Sequence, residues 1–255
     1  MPRPRKVRVT VISNGMGMQS KLLSLLIYEK HPALKEYWNT PYIINVFADT
    51  QDEPDYIYQD LKEYQDYLKE HNYPELVIVS RGKISEDYYK VGIIPNRSKR
   101  RCTVDYKIKE IRKYIRSYLR KHNLRLKNTI INVLIGFTSE EFYRIRDSDV
   151  KYLRNRFPLI YDLKFTREDC INELKKRGLS YHKSGCWFCP FGNPKRFYDY
   201  VKNKVDLQEF VVKFEMKSRE RLPNYYLFRK PVEQVLSGHA ENIEDDSCSS
   251  GYCFV

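Results

Sequence analysis

Apolar positions along the chain change period, and each change marks an element. Val7, Val9 and Val11 alternate with polar residues ahead of Ile12, the pattern of a buried strand, and Leu22, Leu23, Leu26 and Ile27 then recur at helical spacing. Between the two runs lies Ser13-Asn14-Gly15-Met16-Gly17-Met18-Gln19-Ser20, so the order is strand, small-residue loop, helix. Further apolar runs at Tyr42 to Ala48, Leu76 to Val79 and Ile130 to Ile135 predict three more strands. Tyr56, Ile57, Leu61, Tyr64 and Leu68 outline one intervening helix, and Ile108, Ile111, Ile115 and Leu119 another. The stretch from the third strand to Lys99 and the arginine-rich stretch from Arg144 to Arg156 show no such period and read as connections. Strands alternating with long crossovers predict an α/β fold, a doubly wound and mainly parallel sheet covered on both faces, over residues 1–192. Residues 193–255 form a helical C-terminal extension, with Phe197, Tyr200, Val201, Leu207, Phe210, Val211 and Phe214 as its apolar positions and an acidic, serine-rich tail holding Cys248 and Cys253.

Candidate chemistry collects where the periods break. Gly15 and Gly17 allow backbone N–H groups and the positive end of a helix to converge on an anion, and Ser13 and Ser20 offer hydroxyl donors. The lysine of a P-loop is missing, so a nucleotide here would be held by backbone. Asp49 and Thr50 follow the second strand, where open α/β sheets bind a ribose, a base or a metal, although they suit a helix cap equally well. Thr166 with Asp169 has the form of a capping box, and Cys170 shares a face with Ile171 and Leu174 as a small core residue would. Cys186 and Cys189 form a C-x2-C knuckle among Trp187, Phe188 and Phe191, half of a metal or cluster site.

Composition narrows the setting. The chain has 255 residues and a formal charge of +13, and thirteen basic residues against two acidic ones fall between Arg97 and Lys127. Within that segment Lys109, Arg112, Lys113, Arg116 and Arg120 make a stripe beside the apolar face of a helix, attractive to a nucleic acid or simply a solvated flank. With no apolar run long enough to span a bilayer and no apolar leader after Met1, the expectation is a soluble, cytoplasmic protein without a membrane partner. In that compartment six cysteines point to metal, cluster or redox chemistry.

Taken together, the Gly15 to Ser20 loop, Phe47-Ala48-Asp49-Thr50, Arg100 to Ile108, and Phe157 to Ile160 with His182 to Pro190 resemble the adenine nucleotide alpha hydrolase (PP-loop) superfamily, and within it the phosphoadenosine phosphosulfate (PAPS) reductase-like proteins. The resemblance sets Gly17, Gln19 and Ser20 on the last glycine, the aspartate and the final serine of the family's S-G-G-x-D-S loop, with Gly15 and Met16 on its first two positions. It matches Gly136 to Glu141 to a second anion-binding segment, with Thr138 in place of arginine. It implies a 4Fe-4S cluster on Cys102, Cys186 and Cys189, with the fourth ligand from Cys248, Cys170 or Cys253, or an open iron; zinc is the alternative metal. Cys253 loosely matches the catalytic thiol of sulfonucleotide reductases.

Three functions follow as expectations. The first is an ATP pyrophosphatase, with Mg²⁺, that adenylates a nucleic acid such as DNA or tRNA for sulfur transfer from a sulfur donor. The second is a reductase of PAPS or a relative, resolved by thioredoxin. The third is a nucleic-acid-binding module stapled by zinc.

Overall fold

A computed structural model describes residues 6–95 and 101–238. Cys248 and Cys253, expected as a cluster ligand and a catalytic thiol, lie outside the described residues, as does Arg100. The described residues form a five-stranded sheet of β1 (Val7–Ser13), β2 (Ile43–Asp49), β3 (Leu76–Ser80), β4 (Thr129–Ile135) and β5 (Leu153–Arg156). The order is β3-β2-β1-β4-β5 and every pair is parallel. The helices are α1 (Met18–Tyr28), α2 (Lys35–Trp38), α3 (Asp55–Glu70), α4 (Ile84–Val91), α5 (Lys109–Lys121), α6 (Pro158–Tyr161), α7 (Arg167–Lys176), α8 (Pro194–Val201), α9 (Val205–Arg219) and α10 (Val232–Leu236). This is the α/β arrangement that the periodicity predicts, wound in both directions from β1.

The winding sets the place of the site. The chain moves outward from β1 to β3, then returns to place β4 on the other side of β1. At that reversal the connections leave in opposite directions, opening a crevice at the carboxyl ends of β1 and β4. Ser13 pairs with Ile135, so the two strands end level and their following loops meet.

Central strands buried on both faces explain the continuous apolar runs. Ile12 packs with Leu22, Leu26, Ile57, Leu61 and Leu174 under α1, α3 and α7. Val9 and Val11 point the other way, to Ile115 and Leu119 of α5. A further core joins the extension to the rest: Phe197, Val211, Phe214 and Phe228 pack with Ile84, Tyr106, Trp187 and Phe188. The extension therefore shares its interior with the cysteine knuckle across the boundary expected at residue 192.

Two elements lie in stretches read as connections. Helix α4 follows β3, with Ile84 and Ser85 buried, and ends on left-handed Gly92 at φ 67°. Strand β5 buries Leu153 and Asn155 while Arg154 faces solvent, which is how an arginine-rich segment serves as a sheet edge. Among the described residues no helix is long and apolar enough to cross a membrane.

Candidate functional site

A polar network inside the sheet fixes the glycine loop. Tyr64 OH accepts from Asn45 Nδ2 at 2.9 Å, and Asn45 Oδ1 accepts from Asn14 Nδ2 at 3.1 Å. Asn14 Oδ1 in turn accepts from the Met16 N–H at 2.9 Å and from Ser20 Oγ at 3.1 Å. Met16 adopts a left-handed backbone at φ 58° while its side chain is fully buried in the core under α1. The Gly15 N–H donates to Ser20 Oγ at 3.1 Å, so Ser20, expected to donate to a phosphate, instead braces the loop. The N–H groups left for an anion are those that open α1, where Gly17 is the N-cap and no side chain among the described residues caps it.

Above these groups lies a cleft of about 300 Å³ bordered by Gly17, Gln19, Glu140, Glu141, Arg144 and Arg167 on one side and His182, Lys183 and Ser184 on the other. Below it a narrower recess is lined by Ser13, Gly15, Gly17, Ser20 and Gly136. Gly136 must be glycine here, because a Cβ would come within 2.7 Å of Ser20 N and 2.9 Å of the Gln19 carbonyl carbon. Sequence reasoning noted the lost arginine at Thr138 and missed Arg144, which enters the same space six residues on. Arg144 is buried, ion-paired with Glu141 and stacked over Phe137 at 4.3 Å. Glu141 also accepts from Gln19 Nε2 at 3.1 Å, so an amide–carboxylate contact stands where the family loop carries an aspartate. The available signal for Arg144 was the acid–base pair three residues apart at the end of a capping box.

His182 reaches the cleft with its orientation fixed from behind. Its Nδ1 lies 2.9 Å from Asp60 Oδ1, and the other oxygen of Asp60 pairs with Lys21 Nζ at 3.3 Å. Lys21 and Asp60 are both buried, and burial lowers the Lys21 ammonium from its ordinary value against the pull of Asp60.

The cysteines gather in a second cavity, of about 80 Å³, lined by Cys102, Cys186, Cys189, Thr50 and Lys107. Segments far apart in the chain meet here because the 184–187 stretch is tied to the turn after β2. The Trp187 N–H donates to the Asp52 carbonyl at 2.9 Å, its indole N–H to Asp52 Oδ1 at 3.0 Å, and the Gly185 N–H to Glu53 Oε2 at 2.5 Å. Thr50, expected beside a nucleotide, instead sets its Oγ1 3.2 Å from Cys186 Sγ. Glu53 Oε1 faces Lys107 Nζ at 3.8 Å. Burial would lower Lys107, yet Glu53 and the surrounding thiols hold it above its ordinary value. Burial pushes the thiols of Cys186 and Cys189 up, so a metal bound here would displace protons.

The donors suit soft metal chemistry. They do not converge on one point: among the described residues no three His, Cys, Asp or Glu side chains form a group that could hold a single ion. Cys170 takes no part, being wholly buried in the core under α1 with its thiol pushed up to about 12 by that burial.

Two expected features sit elsewhere. Asp49 Oδ1 accepts from the Gln51 N–H at 2.8 Å and from Tyr58 OH at 3.0 Å, pinning a tight turn rather than entering the cleft or capping α3, whose N-cap is Pro54. On the α5 stripe, Lys109 pairs with Asp105, Arg112 with Asp149 and Lys113 with Glu110, while Arg116 approaches Tyr152 OH at 3.4 Å. Much of the stripe is thus neutralised within the molecule. Compared with protein-family models and with curated proteins, the chain gives no match.

Proposed function

We propose that this chain is an ATP-dependent enzyme of the adenine nucleotide alpha hydrolase (PP-loop) class that adenylates an oxygen of a nucleic acid. The observation that carries the reading is a shared wall: Lys183 and Ser184 line both the cleft over Gly17 and the thiol cavity. An acceptor activated in the first would lie beside sulfur chemistry in the second. The opening N–H groups of α1 supply donors for the phosphates, and Arg144 and Arg167 add positive charge. Mg²⁺ would ride mainly on phosphate oxygens, since Glu141 is already tied to Gln19 and Arg144. The acceptor oxygen attacks the α-phosphorus, the bond to the bridging oxygen breaks, and pyrophosphate departs with the electron pair.

A cluster held by Cys102, Cys186 and Cys189 would supply the sulfur chemistry that displaces AMP. Cysteine thiols drawn from two distant segments to line one cavity are the donor type such a cluster takes. For the acceptor, the support is the rim. Among the described residues the exposed large apolar side chains include three aromatics, Phe142, Tyr143 and Tyr161; Tyr143 lines the cleft, and Phe142 meets Tyr161 edge to face at 6.3 Å. Aromatic faces beside arginines are a stacking platform for unstacked bases, and the +13 charge favours a polyanion.

The test is release of AMP from α-labelled ATP and of pyrophosphate from γ-labelled ATP by anaerobically purified protein, with and without tRNA or single-stranded DNA. Stimulation by nucleic acid, lost when Phe142 and Tyr161 are both replaced by alanine, is the expected result. Turnover of PAPS with thioredoxin in place of ATP cleavage would assign the site to sulfonucleotide reduction instead.

A further inference from the structure

Ser184 is a residue whose chemistry the fold leaves unused. Ser184 is 6% exposed, and among the described residues its Oγ has no hydrogen-bond partner. Leaving a buried hydroxyl without a protein partner costs stability, and the adjacent Gly185, at φ 134°, ties its own N–H to Glu53 rather than to this hydroxyl. The direction of the hydroxyl is informative. A methyl group built on Gly17 would lie 3.6 Å from Ser184 Oγ, so the oxygen hangs over the residue that opens α1. Helix α1 has eleven residues and, among the described residues, no side-chain cap at its start. An unpaired buried hydroxyl and uncapped helix N–H groups thus face one space, and both are suited to a phosphate oxygen.

Ser184 also belongs to the cysteine segment. It lies two residues before Cys186, on the wall shared by the cleft and the thiol cavity, and the 185–187 stretch is held to the turn at Asp52 and Glu53. We propose that Ser184 Oγ donates to a β- or γ-phosphate oxygen of the bound nucleotide, so that the cysteine segment closes the phosphate site and nucleotide affinity is coupled to the state of the thiol cavity. This rests on the nucleotide reading above and adds a residue and a linkage to it. Coupling of this kind is reciprocal: whatever ATP does to the cysteine segment, the segment does to ATP.

Calorimetric titration of the full chain and of Ser184→Ala with ATP, pyrophosphate and AMP separates the alternatives. Loss of one hydrogen bond to a charged oxygen weakens ATP and pyrophosphate about tenfold and leaves AMP unchanged. The ligand-free Ser184→Ala protein melts at the same temperature as the parent or higher, because an unsatisfied hydroxyl has gone. In metal-free protein, ATP slows maleimide labelling of Cys186 and Cys189, and Ser184→Ala abolishes that protection.

Equal ATP affinity in parent and variant overturns the role of Ser184 while leaving the nucleotide site standing. A parent that binds neither ATP nor pyrophosphate removes the nucleotide reading itself. A variant that melts lower and weakens all three ligands alike makes Ser184 structural and overturns the proposal. Labelling indifferent to ATP removes the coupling.

Discussion

Asn14 shows what a single side chain does for the site. Its amide joins the Tyr64–Asn45 network below to Met16 and Ser20 above, and it is buried. Asn14→Ala strands the Met16 N–H and one oxygen of Asn45, and should cost about 2–3 kcal/mol in urea unfolding. A loss below about 0.5 kcal/mol would mean that the loop holds itself. At Gly136 the limit is space. Gly136→Ala drives a methyl group against the backbone of Gln19 and Ser20, so it should cost about 1–3 kcal/mol and displace the start of α1, weakening ATP binding as well. Unchanged stability and affinity would show that β4 and α1 can part without harm. The glycines of the loop were legible because backbone geometry has a sequence signature. Asn14, Arg144 and Ser184 were not, because their roles depend on partners brought from distant segments.

At the scale of elements, the central strands and α1, α3 and α5 followed from apolar period alone, since each buries a continuous face. Helix α4 and strand β5 escaped because their burial is partial. Only Ile84 and Ser85 of α4 are buried, and β5 is an edge of four residues. The basic stripe of α5 was visible as charge, but its ion pairs were not: Asp149, far along the chain, neutralises Arg112. Salt titrations of polynucleotide binding should therefore divide the helix. Replacing Lys109, Arg112 and Lys113 with glutamine should leave the slope of log K against log salt nearly unchanged, whereas Arg116 and Arg120 should each account for at most about one unit of slope. A large drop from the first set would place the nucleic acid on α5 despite the ion pairs.

Across the whole molecule, the parallel sheet presents the glycine loop and the extension supplies the aromatic interior behind the cysteines. One acid holds that extension together. The Glu215 carboxylate is 1% exposed and accepts from the Leu227 and Val232 N–H groups at 2.8 and 2.9 Å, fixing the segment between α9 and α10. Burial lifts Glu215 above its ordinary value of 4.5. A raised acid keeps its proton longer in the folded state, so its contribution is full below the unfolded value and is lost as pH rises through the folded one. Thermal unfolding should show the parent losing ground to Glu215→Gln as pH rises above the ordinary carboxylate value. A difference that stays flat over that range would mean that the two N–H bonds offset burial entirely. The sheet half of this architecture could be read from the chain. The shared interior could not, because the aromatics of residues 197–228 give helical spacing without saying what they cover.

Trp187 is one of two tryptophans, and it stands between Cys186 and Phe188 with its indole tied to Asp52 and stacked near Phe197. The other, Trp38, packs by the first core, its indole N–H on the His31 carbonyl. The molecule thus carries its own optical gauge. Ultraviolet emission from Trp187 should dim when iron fills the neighbouring cavity and brighten on chelation, and Trp38→Phe would leave that signal free of background.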